Sequence, residues 1–321
     1  MRVHRWHTIV LLSAASCAPT TTELSGTATA SSTILEGQVT IPNLSNRVAL
    51  DAKRNVLWAP TSNGMLLAIS LSTLRPDTLF SASAQIASTM ITPGGDTLFV
   101  SLANSRSLIA IDLRSPIFPV GTLRIAHDDS ASVQFPEVVT LVNNQVLLRI
   151  PSGVVTYRTV NVITKSREVW SGSLTAGSMR VGAVTPNGER VLFLEPVAML
   201  YDVAAGREVA RISGFANPTF ASASLDGNRF SLGRTVLSGS LGVIANLTGV
   251  PVTTTSSALS ADGSIVYLPG TQGLVEVSVA TAAVLRSHPP QRTPSRIIAH
   301  PDGQHVLMID GSAIVVVRVG T

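Results

Sequence analysis

One short unit recurs seven times along this chain and constrains its fold more than any other feature: a small or apolar strand, a tight turn, then a strongly apolar strand. The turns are Asp51-Ala52-Lys53, Thr92-Pro93-Gly94-Gly95, Val142-Asn143-Asn144, Thr185-Pro186-Asn187-Gly188, Leu225-Asp226-Gly227, Ala261-Asp262-Gly263 and Pro301-Asp302-Gly303. Their anchors, residues 53, 95, 144, 188, 227, 263 and 303, lie 36–49 residues apart. Asn-Gly and Asp-Gly suit a two-residue hairpin, whose central residues must accept positive φ. Thr97-Leu98-Phe99-Val100, Val191-Leu192-Phe193-Leu194 and Ile265-Val266-Tyr267-Leu268 are typical of the strands that follow.

A second register lies downstream, in Leu67-Ala68-Ile69-Ser70-Leu71, Ile109-Ala110-Ile111-Asp112-Leu113, Leu200-Tyr201-Asp202-Val203, Ile244-Ala245-Asn246-Leu247, Val275-Glu276-Val277-Ser278-Val279 and Val315-Val316-Val317-Arg318-Val319. The third unit matches through Val160-Asn161-Val162-Ile163. A period near 40 residues made only of short strands fits the four-stranded blade of a propeller, whereas helical solenoids show 3.6 periodicity. Strands apolar on both faces fit sheets sandwiched between neighbouring sheets. The last repeat stops after its third strand, and residues 34–41 form a lone strand with no unit before it. The expected fold is therefore all-β, a seven-bladed β-propeller over residues 34–321 whose last blade is closed by the N-terminal strand. Closure of that kind removes open sheet edges.

The segments Thr185-Pro186-Asn187-Gly188-Glu189-Arg190-Val191-Leu192-Phe193, Ser260-Ala261-Asp262-Gly263-Ser264-Ile265-Val266-Tyr267 and His300-Pro301-Asp302-Gly303-Gln304-His305-Val306-Leu307 resemble the repeat of YVTN-type, WD-like bacterial propellers. Ile109 to Leu113 and Leu200 to Gly206 are similar to the strand that ends that repeat. The resemblance implies a fold and no particular activity, since such folds host many functions.

Hydrophobic residues make up 45% of the chain and charged residues 13%, a composition that must bury a large core. The formal charge of +4 includes Arg2 and Arg5 of a leader, and no basic run follows. Nucleic acid is therefore not an expected partner.

The leader, residues 1–16, has a positive start and a short apolar run from Ile9 to Ala15, too short to span a bilayer. Cys17, the only cysteine, follows it at Ala14-Ala15-Ser16-Cys17, which resembles a bacterial lipobox. The resemblance implies lipidation of Cys17 and a place in the cell envelope, with Ala18 behind it leaning toward the outer membrane. Plain secretion after signal-peptidase cleavage is the alternative. In Ala18 to Thr33, nine of sixteen residues are Ser or Thr, so residues 17–33 read as a flexible tether.

Chemistry is sparse. Loops joining blades, and loops between second and third strands, should share one face, and their polar residues are the candidate ligand contacts. These are Asn104, Arg106, His127, Asp128, Asp129, Glu195, Arg234, His288 and Arg292. His300 and His305 map to the opposite face. Asp112 and Asp202 end third strands, where they should cap the turn that follows. No metal, cofactor or catalytic set is expected, and Ser238-Gly239-Ser240-Leu241-Gly242 lacks the setting of a nucleophile elbow. The expected role is a monomeric scaffold binding an unknown protein or glycan, with the membrane reached through the lipid on Cys17. A propeller hydrolase of the lactonase or lyase type is the alternative.

Overall fold

The structure is a computed structural model that describes residues 33–320 apart from 83, 104–106, 116–117, 119, 125–136, 143–144, 152–154, 162–166, 170–179, 195–196, 215–219, 251–255, 272 and 290–293. Strand β1 (Gly37–Thr40) comes first and stands apart from its sequence neighbours. The first blade is β2 (Ala49–Asp51), β3 (Val56–Pro60), β4 (Met65–Ser70) and β5 (Arg75–Ser81). The second is β6 (Ile86–Ile91), β7 (Thr97–Leu102), β8 (Ser107–Asp112) and β9 (Val120–Arg124). The third is β10 (Glu137–Thr140), β11 (Gln145–Pro151), β12 (Val155–Asn161) and β13 (Arg167–Val169). The fourth is β14 (Arg180–Val184), β15 (Arg190–Leu194), β16 (Ala198–Asp202) and β17 (Arg207–Ile212). The fifth is β18 (Ala221–Ala223), β19 (Arg229–Leu232), β20 (Thr235–Ser238) and β21 (Val243–Asn246). The sixth is β22 (Ala258–Leu259), β23 (Ile265–Gly270), β24 (Gly273–Ser278) and β25 (Val284–His288).

What remains is β26 (Arg296–Ala299), β27 (His305–Ile309) and β28 (Ala313–Arg318), which take β1 as their outer strand in the order β1-β28-β27-β26. Gly37 pairs with Val316 and Thr40 with Ala313. Among the described residues there are seven four-stranded sheets, but only six are blades in the strict sense of one continuous stretch of chain. The expected count of seven blades is corrected in that sense: six are continuous, and one sheet is a composite of both chain ends. The reason is physical. Three C-terminal strands leave an open edge on β28, and the backbone of β1 satisfies it.

Alternation along each strand explains why both faces are apolar. Leu57 and Ala59 of β3 pack with Leu307 and Ile309 of the composite sheet, while Trp58 between them packs with Leu98 and Val100 of the second blade. In β15, Val191 and Phe193 face Leu141 of the third blade, and Leu192 and Leu194 face Phe230 and Leu232 of the fifth. Val306 and Met308 meet Tyr267 and Leu274 of the sixth. Each strand divides its period-two pattern between two neighbours, so the core is a ring of inter-sheet layers.

The turns between first and second strands are longer than the expected two-residue hairpins. Ser260 N–H bonds to the Ile265 carbonyl at 2.9 Å and spans four loop residues, inside which Gly263 N–H bonds to the Ser260 carbonyl at 2.9 Å. The Ser260 hydroxyl donates to Asp262 at 2.7 Å and accepts from Ile265 N–H at 3.0 Å. Thr185 and Ser224 repeat this pattern. Glycine closes these turns at positive φ (+72° at Gly188), where an added Cβ would come within 2.6 Å of Val142 N.

A candidate site at the mouth of the central channel

Because the sheets are antiparallel, the start of every inner strand lies at the same end of the ring as the hairpins joining second and third strands. The inner strands are tied to one another by side chains. Thr89 of β6 bonds to the carbonyl of Arg47, Leu259 N–H donates to the Ser222 hydroxyl at 2.9 Å, and Ile297 N–H donates to the Ser256 hydroxyl at 3.0 Å.

One height on these strands gathers charge. Four residues before the turn-opening residues Asp51, Thr92, Ser224, Ser260 and His300 stand Arg47, Ser88, Phe220, Ser256 and Arg296. In β14, which has a bulge between Val181 and Ala183, the pairing of Arg180 with Leu194 puts Arg180 at that height. It matches the pairing of Arg296 with Ile309. Glu137 of β10, paired with Arg149, occupies it in the third blade. Among the described residues the level therefore carries Arg47, Arg180 and Arg296.

Arg296 reaches furthest. From the composite sheet, its Nη1 donates to the carbonyls of Asn46 and Val48, just before the first blade, at 2.9 and 2.8 Å. Its guanidinium carbon also lies 5.2 Å from the centre of the Phe220 ring, which belongs to the fifth blade. Its side chain thus links the segment before the first blade with the fifth blade, and it is half-buried from solvent. Among the described residues no carboxylate pairs with it, and its Nε and Nη2 hydrogens meet no acceptor. Burial, and then the charge of Arg47, push its pKa down to about 10, so it remains a cation at neutral pH.

Of the candidates read from sequence, Asn104, Arg106, His127, Asp128, Asp129, Glu195 and Arg292 lie outside the described residues, as does Cys17. Arg234 sits in the β19–β20 hairpin at the channel-mouth end, where its carbonyl accepts from Leu247 N–H at 2.9 Å. His288 is not in a joining loop. It ends β25 and turns back so that Nε2 lies 2.5 Å from Oε1 of the buried Glu276, an oxygen that Gly320 N–H also approaches at 3.4 Å. The structure does not bring Arg234 and His288 into contact with each other.

His300 and His305 flank the β26–β27 turn at the opposite end and share Asp302. Nδ1 of His300 accepts from Asp302 N–H at 3.2 Å, and Nδ1 of His305 lies 2.7 Å from Oδ2. Asp112 accepts from Arg114 N–H at 2.9 Å and Asp202 from Ala205 N–H at 2.8 Å, the capping expected of them. Ser238 to Gly242 form the turn between β20 and β21, where Gly242 N–H donates to the Ser238 hydroxyl at 3.0 Å.

Sequence reading passed over Arg47, Phe220 and Arg296 because it sought polar residues in joining loops. The available signal was their shared distance from the turn-opening residue.

No family model matches the chain, and no curated protein does. Solved structures do match: the hydrazine synthase of Kuenenia stuttgartiensis is 12% identical with a TM-score of 0.64, covering 92% of this chain and 99% of that one. The β-propeller domain of Myceliophteria thermophila Cps50 (Swd1) is 15% identical with a TM-score of 0.64, covering 88% and 100%. This chain is a β-propeller. At these identities the likeness is one of fold alone.

Proposed function

We propose that this propeller is an exported, lipid-anchored scaffold of the cell envelope that engages a protein or glycan with its channel-mouth face. The gathering of Arg47, Phe220 and Arg296 on that face is the observation that carries the reading. Arginines and aromatic rings are what anchor partners at interfaces, and Arg296 keeps its Nε and Nη2 donors uncommitted among the described residues. The opposite face supports this by contrast, since its Ser, Thr and Asp side chains are occupied within their own turns. Export and anchoring rest on the leader and on Cys17, with residues 18–33 as the tether.

The test expresses the full chain in a bacterium with a photo-crosslinking residue at Ser62, in the β3–β4 hairpin, or at Gln304, in the β26–β27 turn. The protein should fractionate with membranes, lose that behaviour in Cys17→Ser, and crosslink a partner from position 62 and not 304. Equal solubility of the two forms removes the anchor, and crosslinks from 304 alone, or from neither position, remove the binding face.

A further inference from the structure

We infer that Asn63, in the β3–β4 hairpin, is a site of spontaneous modification, where the side-chain amide is lost to aspartate and isoaspartate, while the same dipeptide at Asn187-Gly188 is protected. The chain holds two Asn-Gly pairs, Asn63-Gly64 and Asn187-Gly188. In the reaction the backbone nitrogen of the glycine attacks the side-chain carbonyl carbon of the asparagine. A ring N–C bond forms, the bond to the amide nitrogen breaks, and that nitrogen takes up the proton of the attacking N–H and leaves as ammonia. Water then opens the succinimide at either carbonyl. Glycine favours the attack because it carries no Cβ.

The sequence makes the two pairs alike, and the fold separates them. Both asparagines are exposed, and both glycines stand at positive φ, +87° at Gly64 and +72° at Gly188, with backbone atoms in contact with the place of a Cβ. Asn187 is held at three points. Its Oδ1 accepts from the Thr185 hydroxyl at 2.7 Å and from Glu189 N–H at 3.2 Å, and its Nδ2 donates to Glu189 Oε2 at 2.8 Å. Asn63 has one such bond, from the Thr61 hydroxyl to Oδ1, and its Nδ2, the leaving group, is uncommitted among the described residues. The attacking nitrogens differ in the same direction: Gly188 N–H donates to the Thr185 carbonyl at 2.7 Å, and Gly64 N–H to the Thr61 carbonyl at 3.1 Å. Asn187 must therefore give up two more side-chain bonds than Asn63, and a shorter backbone bond, before it can react.

Place gives the reaction a consequence. Ser62 N–H donates to the Asn43 carbonyl at 2.8 Å and Ser45 N–H to the Pro60 carbonyl at 2.9 Å. The hairpin is thus fixed against the segment leading to Asn46, whose carbonyl Arg296 bonds. The new carboxylate appears at the channel-mouth end, and only its effect on a partner rests on that end being the binding face.

The test is peptide mass spectrometry on the full chain, purified in detergent and incubated at pH 8 and 37 °C. Asn63 should convert at roughly ten times the rate of Asn187, the difference that two hydrogen bonds make. In urea the two rates should converge, and both should exceed those of the folded protein. Glu189→Ala, at an exposed position, removes the Nδ2 partner of Asn187 and should raise its rate several-fold while leaving Asn63 unchanged. Equal rates in the folded protein, a faster Asn187, conversion of Asn63 only in urea, or an unmoved Asn187 in Glu189→Ala overturns the inference. Crosslinking from position 62 of freshly purified protein is a separate readout, so failure of the modification site and failure of the binding face are told apart.

Discussion

His300 shows what one substitution in a repeated turn does. At the matching position Ser224 and Ser260 use a hydroxyl to bond the aspartate two residues on and the N–H five residues on. His300 offers only Nδ1 to Asp302 N–H, and its Nε2 is buried without a partner. Burial pushes its pKa below the usual histidine value, and Asp302 pulls in the other direction without cancelling it. Below the ordinary histidine value of 6.5 the unfolded chain therefore takes up a proton that the folded one refuses. Stability should fall as pH drops through that value toward the depressed one, with a slope of at most about 1.4 kcal/mol per pH unit. A separate loss belongs to lower pH. Asp262, held down to about 2 by Ser264 N–H and the Ser260 hydroxyl, contributes stability above the ordinary carboxyl value of 3.8 that is lost as pH falls toward 2. Urea unfolding at pH 7.5 and 5.5 should show a smaller decline in His300→Ser than in the native chain. Identical declines would assign the effect to other groups.

At the level of elements, the chain is stitched on its turn face by arginines that cross between blades. Arg54 donates to the Gly95 carbonyl at 2.8 Å and the Leu113 carbonyl at 2.6 Å, and Arg229 donates to the Gly263 carbonyl at 2.7 Å. Arg54 also bonds Asp51, which is 2% exposed, at 2.9 Å. Arg54→Met leaves that carboxylate buried without its counter-charge, holding only the Arg54 N–H bond to Oδ1 at 3.1 Å, at a cost of about 3–5 kcal/mol. Adding Asp51→Ser removes the stranded charge and restores the hydroxyl used by the other turns, so the double variant should recover part of the loss in urea midpoint. A double variant less stable than Arg54→Met alone would contradict this. Second and third strands were legible in sequence because both of their faces are buried, as in β23 and β24. Outer strands were not, since β17 alternates exposed and half-buried residues and β25 is exposed over Val284–Ser287. The inter-blade arginines escaped as well. A contact made 34 or 41 residues away leaves no local pattern.

For the whole molecule, the ring exists only if its two ends share a sheet, and the channel mouth depends on the same junction. Arg296 of the composite sheet reaches Asn46 and Val48 across it. The sequence showed the closing strand because a lone apolar segment at 34–41 complements a repeat that stops one strand short. It did not show the charged level, because Arg47, Phe220 and Arg296 belong to three different sheets and meet only when the ring is formed. Ile34 is 7% exposed and Ile41 2%, and both pack in the layer between the composite sheet and the first blade. Burial of each side chain is worth roughly 1.5–3 kcal/mol, against about 5–15 kcal/mol for a whole domain. The decisive measurement is thermal unfolding of a chain beginning at residue 34 compared with one beginning at residue 42. If β1 closes the ring, the shorter chain melts lower, by on the order of 10 °C. An unchanged melting temperature would mean that the ring does not depend on β1 for its closure.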